Sequence, residues 1–326
     1  MKEREECNVK EKSKSKNLKG KWTKNDTELT LLALPTTIWY ILFSFLPMFG
    51  LIIAFKNYKV TPGHGFIYNV LHSEWAGFKN FEFLIKSNDL FVILRNTILY
   101  NLAFIVLGMI LAVTLAIMIN ELYSKRKSKV YQTLMFFPYF MSWVVVAYFL
   151  DAFLNQDNGL INGMLRDGGN EPIQWYMTAG VWPFILIFMF LWKSTGYNMV
   201  IYLSSLSGID TTLYEAASID GATKWQQIRN ITLPCLKNVI IMMFILNIGK
   251  IFYSDFGLFY QLSQGASGSI FNTTATIDTY VFNALQSNTP VGMTSAVTFF
   301  QSVACCITIL VANAIVKKID SDSAII

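Results

Sequence analysis

Six long apolar runs separated by polar segments set the reading of this chain. They extend from Leu29 to Phe55, Leu90 to Ile119, Thr133 to Leu154, Met177 to Leu203, Leu236 to Phe256 and Thr294 to Val316. Each is near or above the ~20 apolar residues that an α-helix needs to cross a bilayer. The first run is too long for a signal-peptide core and lacks a convincing cleavage site, so it is expected to be retained. Pro35 and Pro47 should mark its ends or kink it. In the second run Gly108, Ala112 and Ala116 recur every four residues, a smooth stripe that lets another helix approach closely. The pattern predicts an all-α polytopic membrane protein with six transmembrane helices.

The segments between the runs alternate in character. Lys56 to Asn88 carries Trp75, Phe78, Phe81 and Phe83, which suggests helices lying in the membrane interface. His64 and His72, the only two histidines, fall in this segment away from any metal-ligand spacing and are expected to be solvated. Asn155 to Gln174 is a Gly/Asn-rich connection. Phe256 to Met293 holds no lysine or arginine, and a helix against the bundle is expected to start at Thr276-Ile-Asp-Thr-Tyr280.

Composition agrees with the pattern. The chain of 326 residues is 53% hydrophobic and only 14% charged, against about 25% charged for a soluble domain. The position of the charges matters more than their sum of +5. Of the 26 Lys and Arg, 18 fall on the side bearing both termini (counting Lys237 at the very start of the fifth run), five on the opposite side, and three (Arg95, Lys193, Lys250) deeper within runs. The positive-inside bias then places both termini in the cytoplasm, and the resemblance described below implies the plasma membrane of a bacterial cell. Domain limits follow: a basic cytoplasmic tail over 1–28, a six-helix domain over 29–316 and a second tail over 317–326. The lysine-rich tail is diluted by Glu3, Glu5, Glu6 and Glu11, so a solvated tail able to touch anionic membrane lipid is expected and nucleic-acid binding is not. The four cysteines, Cys7, Cys235, Cys305 and Cys306, all lie in cytoplasmic or membrane segments, which argues against a structural disulfide.

One polar segment, residues 210–235, is unlike a loop. Thr212-Leu-Tyr-Glu215 has capping-box spacing, Gly221 can end a helix at positive φ, and Thr223-Lys-Trp-Gln226 repeats the capping spacing before Pro234 limits the second helix. A short helix, a bend and another short helix should project from the cytoplasmic face. Glu215-Ala216-Ala217, Asp220-Gly221 and Ile231-x-Leu233-Pro234 resemble the EAA loop of ABC importer permeases, in the form found in the carbohydrate-uptake group. Leu46 to Tyr58, Trp75 to Phe81, Arg95 to Thr97, Phe137 to Trp143 and Ile277 to Tyr280 resemble its polysaccharide-type (LplB-like) permeases. The resemblance covers nearly everything from Leu31 onward. It implies the type I importer (MetI-like) permease fold, and a coupling helix formed by Glu215, Ala216, Ala217, Asp220, Gly221, Ile231, Leu233 and Pro234 that docks on an ATPase subunit. It also implies a second homologous permease, two cytoplasmic ABC ATPases, an extracellular solute-binding lipoprotein and an oligosaccharide substrate. No cofactor is expected on this chain; ATP and Mg would be used by the ATPase partners.

Polar residues inside the runs are candidates for the pathway, because a charge there normally faces the bundle or a water-filled cavity. Asn247, Lys250 and Ser254 fall on one helical face of the fifth run. Thr294, Thr298, Gln301, Cys305 and Thr308 stripe the sixth, where pathway lining and interhelical hydrogen bonding share the same pattern. A sugar path needs aromatic faces beside polar groups. Tyr139, Trp143, Trp192, Lys193, Tyr197, Asn247, Lys250 and Asp255 fit, and Gly196 would let a ligand approach the backbone. Interfacial belts and ordinary packing use the same residue types, and Lys193 could instead pair with Asp151 or Asp255.

Enzymatic activity is not expected. A G-x-x-x-x-G-K-[ST] phosphate loop is missing, since Gly249-Lys250 lacks the upstream glycine. The alternative is an ion-coupled secondary transporter of a small polar solute. It would call for two related halves with acidic residues at the midplane, and neither is visible.

Overall fold

The computed structural model describes residues 23–86, 88–287 and 289–319. Most of the basic tail, Cys7, the side chain of Phe83 and the end of the second tail lie outside them. The chain divides into two compact units, Met1–Leu51 and Ile52–Ile326.

The first unit holds α1 (Lys24–Tyr40), started by a capping box in which Thr23 and Asp26 serve each other's backbone N–H groups. The helix runs through Pro35 and widens into a π-helical turn over Ile41–Phe45, immediately before Leu46-Pro47. Proline offers no N–H and its ring crowds the carbonyl four residues back. An i→i−5 bond from Leu46 N–H to the Ile41 carbonyl relieves that crowding.

In the second unit Lys56–Asn57 pairs antiparallel with Glu74–Trp75, enclosing α2 (Phe66–His72). His64 and His72 are exposed and stack on the two sides of Tyr68, with ring centroids 3.9 and 3.8 Å away. Short α3 (Lys79–Lys86) leads into α4 (Asn88–Asn120). The third apolar run is not one straight helix. It comprises α5 (Lys125–Phe136), a tight turn over Phe137–Phe140 and α6 (Trp143–Leu154), with a 95° bend. Pro138 opens that turn, and extended Ser142 accepts a hydrogen bond from Val145 N–H to start α6 afresh.

After α7 (Leu160–Asp167) comes α8 (Trp182–Leu206), then α9 (Thr211–Ile219), α10 (Lys224–Gln227) and α11 (Leu233–Ile248). The connection to the last span carries α12 (Phe256–Leu262), α13 (Phe271–Thr274) and α14 (Ile277–Gln286), the helix expected after Thr276. The chain's last described helix is α15 (Val291–Ile319). Among the described residues five helices are long and apolar enough to cross a membrane, or six where the bent α5–α6 pair is counted as one broken span.

Packing follows the small-residue stripe. Ala112 and Ala116 are fully buried and Gly108 meets Leu191 of α8, so α4 and α8 form the spine. One apolar cluster joins Tyr100, Phe104, Leu150, Trp182, Leu186 and Phe259 across α4, α6, α8 and α12. Another joins Ala112, Ala116, Met199, Tyr202 and Leu236 nearer the α9–α10 end. Polar residues at the start of α4 tie down the segment before α14. Asn96 donates to the carbonyls of Asn272 and Ala275, Arg95 to that of Asn272, and Tyr100 to that of Thr273, while Thr97 Oγ1 accepts from Ile277 N–H. The carbonyls of this irregular segment are met by side chains, as buried backbone groups require.

Candidate functional site

Two features stand apart from the packing: a polar helical knob and a polar cavity, joined by α11.

The knob is built from local signals. Asp210 caps α9 by accepting from Thr212 N–H at 3.0 Å, and this replaces the Thr212–Glu215 capping box that the spacing suggested. Asp210 stands two residues before Thr212, where its short carboxylate reaches the first free N–H groups. The bond from the Thr212 backbone, and then that from its side chain, hold the Asp210 carboxyl below the usual carboxylate range. At the far end Gly221 has φ +78°, Gly221 N–H bonds Ser218 O and Ala222 N–H bonds Ala217 O. This is the Schellman arrangement, which needs a residue without Cβ strain at positive φ. The Thr223–Gln226 capping box is present as expected. Gln227, buried, donates to Ser218 Oγ at 2.8 Å, and Tyr214 OH meets Thr232 Oγ1 at 3.0 Å. The two helices are thus stapled together.

Pro234 does not limit the second helix. A π-helical turn over Ile228–Thr232 carries α10 into α11, and Leu233 N–H bonds Ile228 O. The offset from π turn to proline is the same as at Pro47, for the same steric reason. The site residues therefore fall into two sets. Glu215, Ala216, Asp220 and Gly221 are exposed on the knob with Ala217 half-buried, whereas Ile231, Leu233 and Pro234 lie on the continuous helix below it. Ile219 and Trp225, 87% and 70% exposed, give the knob an apolar tip. Lys224 pairs with Glu121, just past α4, at 3.0 Å.

The fifth run ends earlier than its hydropathy suggests, at Ile248, with Gly249 as C-cap and Lys250 in the following turn. Asn247, Lys250 and Ser254 do not share a helix face. They nevertheless converge, together with Asp255, on one cavity of about 420 Å³ between α4, α8 and α11. Its other walls include Asn101, Phe104, Phe190 and Asn198, and Phe104 and Phe190 stack at 3.9 Å. The turn is pinned from three elements. Asn101 donates to the carbonyls of Ile251 and Tyr253. Asp278 of α14 accepts from Ser254 N–H at 2.6 Å and Ser254 Oγ at 2.7 Å, and Gln301 of α15 donates to both Asp278 and the Phe252 carbonyl. On the sixth span, hydrogen bonding between helices is therefore what buried Gln301 does. Sequence reasoning passed over Asn101, Asn198 and Asp278; asparagines inside apolar runs were the available signal for the first two.

A second group is joined to this cavity through Asp255. Tyr139 and Tyr197 stack at 4.5 Å, and Lys193 Nζ donates to the Tyr139 carbonyl at 3.1 Å. The ammonium lies 5.3 Å from the Tyr139 ring centroid and 4.9 Å from that of Trp143, within cation–π range. The Trp143 indole N–H then donates to Asp255 Oδ2, which links the two groups. Among the described residues Lys193 forms no ion pair with Asp151 or Asp255. Asp151 instead faces Tyr176, whose hydroxyl is pushed up to about 12 by burial and by that carboxylate.

Two expected site residues lie elsewhere. Trp192 points into an apolar cleft with Phe137, Met141 and Phe188, away from Lys193, because adjacent helical residues diverge by ~100°. Gly196 is filled from outside by α5: a Cβ there would stand 1.9 Å from the Met135 carbonyl oxygen. Its missing side chain serves helix packing rather than ligand approach.

Comparison with known proteins places this geometry. Residues 105–321 match the family described as "Binding-protein-dependent transport system inner membrane component". The chain is 32% identical to the polygalacturonan/rhamnogalacturonan transport system permease protein YteP of Bacillus subtilis (strain 168), over 89% of this chain and 88% of that one. It is 31% identical to protein LplB of the same organism, over 92% and 91%. A solved bacterial ABC transporter involved in import of the acidic polysaccharide alginate superposes with a TM-score of 0.80 at 31% identity, over 91% of this chain and 97% of that one. Another structure of a bacterial alginate ABC transporter, in complex with an alginate pentasaccharide-bound periplasmic protein, gives 0.79 at 30% identity, over 91% and 96%.

Proposed function

This chain belongs to the binding-protein-dependent transport system inner membrane components, and we propose that it is one of two permease subunits of an ATP-driven importer that passes an oligosaccharide into the cytoplasm. The second subunit is a homologous permease. Two cytoplasmic ABC ATPases supply the energy and hold the ATP and Mg, and an extracellular solute-binding lipoprotein delivers the sugar. Both termini and the knob face the cytoplasm, in keeping with the excess of Lys and Arg on that side. Saccharide as cargo is supported by the cavity's pairing of amides with stacked aromatic rings, and by relatives whose names specify polygalacturonan, rhamnogalacturonan and alginate.

The observation that carries this reading is the continuity from knob to cavity. Stapled α9 and α10 pass through the π turn into α11, whose far half supplies Met243, Phe244 and Asn247 to the cavity wall. A movement of the knob is transmitted along one helix to the place where a solute would sit. Closing of the ATPase pair around ATP pulls the knob and turns the cavity outward; hydrolysis returns it to the inside. A rigid lever is needed because a helix transmits displacement only as far as its end contacts hold.

Replacing Gly221 with Asp tests the lever. An Asp at φ +78° is strained and adds charge at the tip. Uptake of labelled oligosaccharide should be lost and the ATPase should no longer co-purify, with membrane insertion unchanged. Undiminished uptake by this variant, or uptake by the wild type after ATP depletion, would overturn the proposal.

A further inference from the structure

We propose that the cavity selects saccharides carrying a carboxylate, and that Lys250 is the residue that reads it; this rests on the carbohydrate-import reading above. Lys250 lines the cavity and is exposed to it, and its ammonium has no hydrogen bond or ion pair among the described residues. Every other charge nearby is committed. Asp255 uses Oδ1 to cap α12 through Leu258 N–H and Oδ2 to accept from Trp143. Asp278 is held behind the wall by Ser254 and Gln301. Lys193 gives its ammonium to the Tyr139 carbonyl and the faces of Tyr139 and Trp143. Lys250 is thus the charged side chain of the cavity lining that has no hydrogen bond or ion pair among the described residues.

The remaining walls suit the neutral parts of such a ligand. Asn198 has no side-chain hydrogen bond among the described residues, and Asn247 spends only its N–H on the Met243 carbonyl, leaving its oxygen for a hydroxyl. The Phe104–Phe190 stack offers an apolar face for ring C–H groups. A neutral sugar gains little from a lone ammonium, whereas a carboxylate gains a charge-assisted hydrogen bond.

The test uses the whole importer in proteoliposomes with its binding protein, and two matched probes: labelled trigalacturonate and its fully methyl-esterified form. The binding protein is the same for every variant, so a change in the acid-to-ester uptake ratio on mutating Lys250 reports the permease alone. Lys250→Gln should lower that ratio about tenfold, the worth of one charge-assisted bond, while Lys250→Arg keeps it near wild type. Lys250→Met, uncharged and of similar length, repeats the measurement independently. A ratio unchanged in Lys250→Gln or Lys250→Met overturns the proposal. Uptake of neutral maltotriose with neither galacturonide carried also overturns it and leaves carbohydrate import standing. ATP-dependent uptake of no saccharide at all removes both.

Discussion

The indole nitrogen of Trp143 and the carboxylate of Asp255, 112 residues apart in sequence, meet in a 2.8 Å hydrogen bond. Trp143 begins α6 just beyond the 95° break, and Asp255 caps α12. The bond therefore ties the broken span to the turn that walls the cavity. Gly257 makes the contact possible, since a Cβ there would come 2.4 Å from Trp143 Cδ1.

Trp143→Phe keeps the ring but removes the donor, and should destabilise the folded subunit by about 1–2 kcal/mol, the range for a bond to a charged acceptor near a partly wet surface. Gly257→Ala should do more harm, because the indole must leave its place. Thermal unfolding of the detergent-purified importer, together with oligosaccharide uptake, checks the order: Gly257→Ala below Trp143→Phe below wild type.

Asp278 supports the cavity without lining it. Asp278→Asn weakens three bonds, to Ser254 N–H, Ser254 Oγ and Gln301, and should loosen the turn carrying Lys250 and Asp255. The expected result is a raised KM for uptake and a loss of about 2 kcal/mol in stability, with the ATPase still bound. A variant with unaltered KM would show that the turn holds its shape without this clamp.

Gly196 separates packing from ligand binding. Gly196→Ala drives a methyl against the Met135 backbone and should cost 1–3 kcal/mol or more as overpacking, seen as reduced yield and a lowered Tm. Trp192→Ala, in the apolar cleft, should leave saccharide preference untouched.

The cap on α9 has a pH signature. Its carboxyl titrates below the usual range, so its contribution is complete above that range and is lost as pH falls through the depressed value. Hydrogen exchange at Thr212 and Leu213, corrected for the intrinsic rate, should accelerate on acidification in the wild type. Asp210→Ala should lose that pH dependence and fray α9 at every pH.

Much of the knob was legible because its signals are local. Gly221 and the Thr223–Gln226 box act within a few residues, and each behaves as its spacing suggested. The first cap was misread because two acceptors competed and Asp210 stands nearer the free amides. Pro234 was misread because a helix can widen by one residue and pass a proline. Neither outcome is visible in a pattern that assumes a uniform 3.6-residue period.

By itself the sequence determined the membrane character, the long apolar runs, the segregation of basic charge and the capped hairpin. All of these follow from hydropathy and short-range hydrogen bonding along the chain. Only the tertiary structure decided which polar residues share a cavity. Asn247, Lys250 and Asp255 come together because Asn101, Asp278 and Gln301, from three other helices, bind the backbone of one turn. It also decided that Gly196 admits a neighbouring helix rather than a solute. The physical reason is the same in both cases: an intramembrane polar group or glycine is satisfied by whatever the fold brings against it, and that neighbour is remote in the chain.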